Sequence, residues 1–338
     1  MNITVLGIDL AKNIFYVHGV DKAGKTVLKR KILRGELAPF IVQLPPCLIG
    51  MEACGSAHNW ARKFQAMGHT VKLMSPQFVK PYVKSNKNDA NDAEAICEAV
   101  TRPSMRFVAI KTVEQQDIQA LHRIRSGFVQ QRTALVNQIR GLLYEYGITI
   151  PQGITQVPRF LPQIIENVEN RLTTMSQNFF AQLYEQFILL DKQIKNYTRQ
   201  LEQLAKTSAV CQRIMKVPGV GALTATALIA AVNQGKEFKK GREMSAWLGL
   251  VPKQHSSGGK SMLLGISKRG DSYLRTLLIH GARAVIKQVG KQEKYQYSWI
   301  SKVIERRGKN KASVALANKN ARILWAILSK DVEYKAVA

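Results

Sequence analysis

The chain has 338 residues, with 50 lysines and arginines against 23 aspartates and glutamates, a formal net charge of +27. That length predicts two or three domains with ample core, and that charge calls for a polyanionic partner, nucleic acid before an anionic membrane surface. No apolar run reaches bilayer-spanning length and the N-terminus lacks the basic-then-apolar order of a signal peptide, so a soluble, cytoplasmic protein with no membrane partner is expected, at the nucleoid when bound to DNA. Cys47, Cys54, Cys97 and Cys211 form no CxxC pair, which argues against a zinc site and against a disulfide framework. The charge is uneven: net +6 over residues 1–105, +3 over 106–205 and +18 over 206–338. The last third is the expected nucleic-acid platform.

Residues 3–9 read as a buried strand, apolar and β-branched. Residues 13–20 and 26–33 read as two more, joined by the turn Asp21-Lys22-Ala23-Gly24. The pattern then alternates. A helix near 35–44 precedes a strand at 48–52, a helix at 56–67 precedes a strand at 70–74, and helices follow near 76–84 and 89–100. An antiparallel meander followed by βα alternation is the element order of an RNase H-like fold, expected over residues 1–105.

Residues 106–205 change character. Ile118, Leu121, Phe128, Leu135, Ile139 and Leu142 keep a 3-4 spacing, with Arg125 and Arg132 in the remaining core positions. Phe180, Leu183, Phe187, Leu190, Ile194, Tyr197, Leu201 and Leu204 form a second seam, and Pro151, Pro158 and Pro162 punctuate the stretch between. Such spacing predicts a coiled-coil arm whose seam pairs protomers into a dimer or tetramer; two core helices of an ordinary bundle would give the same periodicity.

Residues 206–338 open with Val217-Pro218-Gly219-Val220-Gly221 ahead of a helix-like run Ala222–Val232. Glycines in such a turn can let backbone N–H groups approach a phosphate, and a plain Gly-rich turn is the alternative. Trp247-Leu248-Gly249-Leu250-Val251-Pro252 leads to His255-Ser256-Ser257-Gly258-Gly259-Lys260-Ser261, which reads as a Ser/Gly loop. An apolar helix through Leu274, Leu277 and Leu278 follows, then a basic tail with Arg306, Arg307, Lys309, Lys311, Lys319 and Arg322 that fits a phosphate-contacting surface.

Four acidic residues stand out from this basic background. Asp9 ends one apolar run and Glu52 another; Asp89 and Asp92 are three apart, on one face of a helix. Mg²⁺ prefers oxygen ligands, and phosphoryl-transfer sites hold it, or Mn²⁺, on a few carboxylates plus the phosphate. An N-cap role would account for Asp89, with Asp92 in the first turn, but not for carboxylates ending two strands.

The ordered set Gly7-Ile8-Asp9-Leu10-Ala11-Lys12, Met51-Glu52-Ala53-Cys54-Gly55, Lys87-Asn88-Asp89-Ala90-Asn91-Asp92-Ala93, Val217-Pro218-Gly219-Val220-Gly221 and Gly249-Leu250-Val251-Pro252 with Ser257-Gly258 resembles the DEDD insertion-sequence transposases. These are relatives of the Piv DNA invertase and are known as bridge-RNA-guided recombinases. The resemblance spans nearly the whole chain. It implies a RuvC-like (RNase H-like) domain over 1–105, a coiled-coil arm over 106–205 and a mainly helical transposase domain over 206–338. It further implies a metal tetrad of Asp9, Glu52, Asp89 and Asp92, a nucleophile at Ser257 with Ser256 adjacent, and a site built from two domains. Donor and target DNA and a structured guide RNA are the implied partners. The competing reading is a RuvC-like nuclease or Holliday-junction resolvase that hydrolyses DNA with the tetrad alone. An actin-like small-molecule kinase would not need a charge of +27, and a non-catalytic binding protein leaves the tetrad unexplained.

Overall fold

The structure, a computed structural model, describes residues 2–84, 88–289 and 299–335; Lys87 of the Lys87–Ala93 motif lies outside them. The chain forms two compact units, Met1–Val113 and Glu114–Ala338.

In the first unit, β1 (Val5–Asp9), β2 (Ile14–Val20) and β3 (Thr26–Leu33) form the expected antiparallel meander. After α1 (Arg34–Val42) come β4 (Leu48–Glu52), α2 (Ala57–Ala66), β5 (Thr70–Met74), α3 (Pro76–Val79), α4 (Asp89–Val100) and the short β6 (Phe107–Val108). The six strands lie in the order β3-β2-β1-β4-β5-β6, with β1, β4 and β5 mutually parallel and β6 antiparallel to β5. Both faces of the central strands are covered, so these strands read as continuous apolar runs rather than alternating ones. Leu6, Ile8, Ile49 and Met51 pack with Trp60, Ala61 and Phe64 of α2 on one face. Val5 and Leu48 pack with Ile96, Ala99 and Val100 of α4 on the other.

The second unit is mainly helical. It contains α5 (Val113–Glu145), α6 (Gln156–Glu166), α7 (Thr174–Thr207), α8 (Ala209–Met215), α9 (Ala222–Val232) and α10 (Gly241–Trp247). A two-stranded ribbon follows, β7 (Pro252–Ser257) with β8 (Lys260–Ile266), then α11 (Ser272–Gln288) and α12 (Trp299–Lys330). No described helix is long and apolar enough to cross a membrane. Helix α12 is broken at Gly308, whose φ of 76° is left-handed.

Helices α5 and α7 pack against each other in antiparallel register. The Arg125 Nε donates to Thr198 at 2.7 Å, Arg132 pairs with Asp191, and Phe128 stacks on Tyr197 with centroids 5.8 Å apart. The residue numbers of these pairs sum to nearly the same value, the signature of antiparallel partners. The two arginines in the heptad pattern therefore have polar partners on the facing helix. Leu135, Ile139 and Leu143 share a core with Phe180, Phe187 and Leu190. Phe187, Leu190, Ile194 and Leu201 are all buried within the single chain. The seam expected to join protomers is thus filled by the chain itself, because periodicity shows that a face is covered without showing by what.

Helix α5 is also tied to α9 and α11 through buried His122. The Thr226 hydroxyl donates to the Ala222 carbonyl at 2.8 Å, so toward His122 it accepts from Nε2–H at 3.0 Å. The ring's Nδ1 is then the acceptor for the Tyr273 O–H at 3.0 Å. Burial drives the His122 pKa down to about 4, which keeps this neutral tautomer in place. The turn before α9 is closed by glycines: a Cβ on Gly219 would meet the Gly281 carbonyl at 2.8 Å, and one on Gly281 would meet the Gly219 carbonyl at 1.8 Å. Gly219 therefore serves packing against α11, while Gly221, at the N-cap of α9, faces open space.

Leu201 is fully buried in this single-chain packing. Leu201→Ala should lower unfolding free energy by about 2–5 kcal/mol, the range for truncating a buried leucine. A loss below about 1 kcal/mol in chemical denaturation would show that α7 is not packed within the chain.

Candidate functional site

The carboxylates gather where α4 crosses the carboxyl ends of β1 and β4. Side chains alternate along a strand, so Val5, Gly7 and Asp9 share one face of β1, as Leu48, Gly50 and Glu52 do on β4. That face is covered by α4. A Cβ on Gly7 would lie 2.3 Å from the Ala93 carbonyl oxygen and 2.5 Å from the Cys97 nitrogen. A Cβ on Gly50 would lie 2.8 Å from the Val100 Cβ. The two glycines thus let the helix lie directly on the sheet, and Asp9 and Glu52 follow each of them by two residues.

The pairing of Ile8 with Met51 makes Asp9 and Glu52 neighbours at the ends of parallel strands. Helix α4 starts at Asp89. Its N-cap is Asn88, whose side-chain oxygen accepts from the Ala90 N–H at 3.1 Å. The cap role open to Asp89 in the sequence is therefore filled by Asn88, and Asp89 and Asp92 occupy the first turn, where the helix dipole favours negative charge.

Carboxylate oxygens of Asp9, Asp89 and Asp92 lie within 4.8 Å of one another. Opposite ligands of one Mg²⁺ stand roughly 4.2 Å apart, so the cluster is close to the span that a single hard cation requires. Glu52 is outside this trio but senses it. Burial raises its carboxyl pKa above the usual value, and the charges of Asp9 and Asp92 push it the same way. Nearby, burial followed by the charges of Glu52 and Asp9 raises the Cys54 thiol. An all-oxygen donor set with mutual repulsion fits a divalent ion, whose charge relieves that repulsion.

Ser257 is in the second unit, at the tip of the β7–β8 ribbon and not in an irregular loop. Gly258 and Gly259 form the two-residue turn, with φ of 55° and 76°. Positive φ at both central residues matches the right-handed twist of a tight hairpin, and glycine adopts it without a Cβ penalty. Ser257 pairs across the turn with Lys260, His255 with Met262, and Ser256 with Ser261. Ser257 and Ser256 therefore point to opposite faces. The Ser256 hydroxyl accepts from Gln254 Nε2 at 2.7 Å. Every residue of β7 is exposed.

The base of the ribbon is closely packed. A Cβ on Gly249 would strike the Arg269 carbonyl at 2.2 Å, and one on Gly270 the Trp247 carbonyl at 1.8 Å. Arg275 Nη1 donates to the carbonyls of Leu248 at 3.1 Å and Arg269 at 3.2 Å. The glycine of the Gly-Leu-Val-Pro motif thus closes the hairpin's foot, a packing role that the motif alone does not show.

Residues 6–148 match the family model of DEDD transposases of the IS110 type, and residues 211–298 match that of the transposase IS116/IS110/IS902 family. A probable family 20 transposase of Pseudomonas aeruginosa is 47% identical over 336 residues, covering 99% of each chain. The transposase of insertion sequence element IS1111A of Coxiella burnetii is 48% identical over 337 residues, 100% of this chain and 93% of its own. That of IS1328 from Yersinia enterocolitica is 42% identical over 333 residues, 98% of this chain and 99% of its own.

Two predictions follow from the cluster's geometry. Gly7→Ala should displace α4 and cost about 1–3 kcal/mol, the range for forced overpacking. It should also abolish any rise in melting temperature on adding MgCl₂; a retained rise would show that the seat of α4 does not position the carboxylates. Because the folded pKa of Glu52 is raised, its contribution to stability is present below the unfolded value and is lost as pH rises through the folded one. Glu52→Gln should flatten that part of the metal-free stability–pH curve and weaken stabilisation by Mg²⁺. An unchanged curve would refute the coupling.

Proposed function

The chain belongs to the IS116/IS110/IS902 transposase family, and on that premise we propose that it excises and inserts a mobile DNA element by metal-assisted, serine-mediated strand exchange directed by a structured RNA. The observation that carries this reading is the convergence of Asp9, Asp89 and Asp92 within 4.8 Å, with Glu52 feeling the charges of Asp9 and Asp92. The strand order and the carboxylates on β1, β4 and α4 support an RNase H-like, RuvC-like assignment for the first unit.

In this reading Asp9, Glu52, Asp89 and Asp92 hold Mg²⁺ or Mn²⁺. When bound, the ion supplies charge neutralisation for a scissile phosphate. Ser257 is the nucleophile. Its Oγ forms a bond to phosphorus as the bond from phosphorus to a deoxyribose oxygen breaks, and the serine proton ends on that leaving oxygen. A hydroxyl of the exchanged strand then attacks the phosphoserine, restores a phosphodiester and returns a proton to Ser257. Each step exchanges one phosphoester for another, so no nucleotide hydrolysis is required. Exposure at a hairpin tip suits a residue that must reach a phosphate in bound DNA.

The net +18 of residues 206–338 suits contacts with donor DNA, target DNA and guide RNA. Helices α5 and α7 form the arm of the proposed three-part organisation, with its boundaries near 105 and 205. Exchange of two duplexes needs several active sites and hence a dimer or tetramer. With Leu190 and Ile194 buried inside the chain, the arm's outer face, where Ile188 and Leu189 are exposed, is the surface left for pairing.

The test is incubation of the protein with its element's RNA and paired donor and target DNA, one a suicide substrate, followed by denaturing electrophoresis. Wild type should form a protein–DNA adduct. Ser257→Ala and Asp9→Asn should each lower its formation by roughly 10⁴-fold or more, the scale for losing a nucleophile or an essential carboxylate. Ser256→Ala, on the opposite face, should retain substantial activity. Efficient cleavage to free ends with no adduct would replace this reading with a hydrolytic nuclease or junction resolvase.

A further inference from the structure

The β7–β8 ribbon projects from a firmly held base and carries side chains that no core explains. Its foot is tied by the Ser267 N–H to the Val251 carbonyl at 2.8 Å, the Lys268 N–H to the Gly249 carbonyl at 3.1 Å, and Asn318 Nδ2 to the Leu250 carbonyl at 3.0 Å. Beyond the foot, Met262 is 59% and Leu263 66% exposed. The register places them on opposite faces: Met262 beside His255 on the Ser257 face, Leu263 beside Gln254 on the other. A ribbon laid on a protein surface would bury one face and expose polar residues on the other. Large apolar side chains exposed on both faces fit an element enclosed from both sides.

The charge on the ribbon and its foot identifies what encloses it. From Val251 to Gly270 the sequence holds Lys253, Lys260, Lys268 and Arg269 and no carboxylate. A second copy of a chain carrying +27 is a poor electrostatic partner for such a segment. A DNA groove is a favourable one. The major groove is about 12 Å wide and admits a two-stranded β-ribbon, and apolar side chains there can meet base edges and thymine methyls. Six residues of β7 extend roughly 20 Å, enough to enter the groove while the base stays outside.

We propose that the β7–β8 ribbon inserts into a groove of the DNA at the exchange site, with Met262 and Leu263 against the bases and Lys260 on a backbone phosphate beside Ser257. This deepens the proposed function and rests on it for the location of the exchange site. Ser257 and Lys260 are directly opposed across the two-residue turn, and opposed side chains on one face of such a pair lie about 5 Å apart at Cβ. An ammonium group there is within reach of the phosphate that Ser257 would attack. The apolar residues set how far the tip enters, and Lys260 fixes which phosphate it meets.

The test uses the full chain assembled with its element's RNA and with donor and target duplexes. In a Ser257→Ala background, Leu263 is replaced by photoreactive benzoylphenylalanine and the complex is irradiated. Cross-links to DNA bases within a few pairs of the exchange point are expected. Cross-links to the RNA, to another copy of the chain, or to no partner would each overturn the proposal. Because the serine is absent, this result does not depend on its chemistry: an adduct mapped to another residue would revise the proposed function and leave the cross-link standing. In parallel, Met262→Ser with Leu263→Ser should fold with an unchanged melting temperature and keep its salt-dependent affinity. It should lose about tenfold or more in adduct formation. Full adduct formation by this variant would also overturn the proposal.

Discussion

The carboxylate cluster depends on one close approach, that of the α4 backbone to the β1 backbone at Gly7. With Ala93 O only 2.3 Å from where a Cβ would stand, any side chain at this position would push the helix away by an ångström or more. Asp92 immediately precedes Ala93 and Asp89 is one turn earlier, so the displacement would pass directly to both carboxylates. Displacements of that size matter in phosphoryl chemistry, where a 1 Å error in placing a reacting group can cost about 10²-fold. Gly50 provides the same clearance on β4, against Val100 at the far end of the helix. Two clearances fix both position and tilt of α4, while strand pairing fixes Asp9 beside Glu52.

The second unit uses the same device. Gly249 and Gly270 bring chain segments into backbone contact at the foot of the ribbon, and Gly219 and Gly281 do so between the turn before α9 and helix α11. Contacts between backbones leave no side-chain rotamers to adjust, so elements held this way have little freedom to shift. The ribbon's exposed tip therefore extends from a defined base. Rigidity at the foot and accessibility at the tip suit the role proposed for Ser257.

Much of the first unit was legible in the sequence. The strand at 48–52, the strand at 70–74 and the helix at 89–100 have the expected limits, because apolar runs bounded by turn residues are local signals. Asp9 and Glu52 were legible as ends of apolar strands and Asp89 and Asp92 as one face of a helix, and Asp9, Asp89 and Asp92 meet. Long-range contacts were not legible. Nothing local distinguishes Gly7, a strand glycine that faces a helix backbone, from Gly19, a strand glycine that meets only the side chains of Ile3 and Leu28. The Ser/Gly stretch at 255–261 resembled a loop because Gly258-Gly259 is also the turn that permits a tight hairpin. The seam of α7 was correctly periodic, but its partners were helices of the same chain: Phe180, Phe187 and Leu190 share a core with α5 and α6, and α7 also packs on α9. Periodicity encodes that a face is buried, and only the fold decides the occupant.

Carboxylates on and beside helix α4 stand in two different electrostatic settings. Its later carboxylates are paired: Glu94 with Lys29 at 3.0 Å, and Glu98 with Lys84 at 3.2 Å and with Arg102. Those cations hold the carboxyls of Glu94 and Glu98 below their usual values. At Glu52 the direction reverses, because burial and the charges of Asp9 and Asp92 dominate. The carboxylates on the later turns of α4 are thus held in ion pairs, while Glu52 at the end of β4 is set among like charges. A divalent ion beside Glu52 would offset the like charges of Asp9 and Asp92. Folds retain unfavourable local arrangements of this kind where the surrounding packing over-determines the geometry. Here that packing is the close seat of α4 on Gly7 and Gly50, which holds the carboxylates together against their own charge.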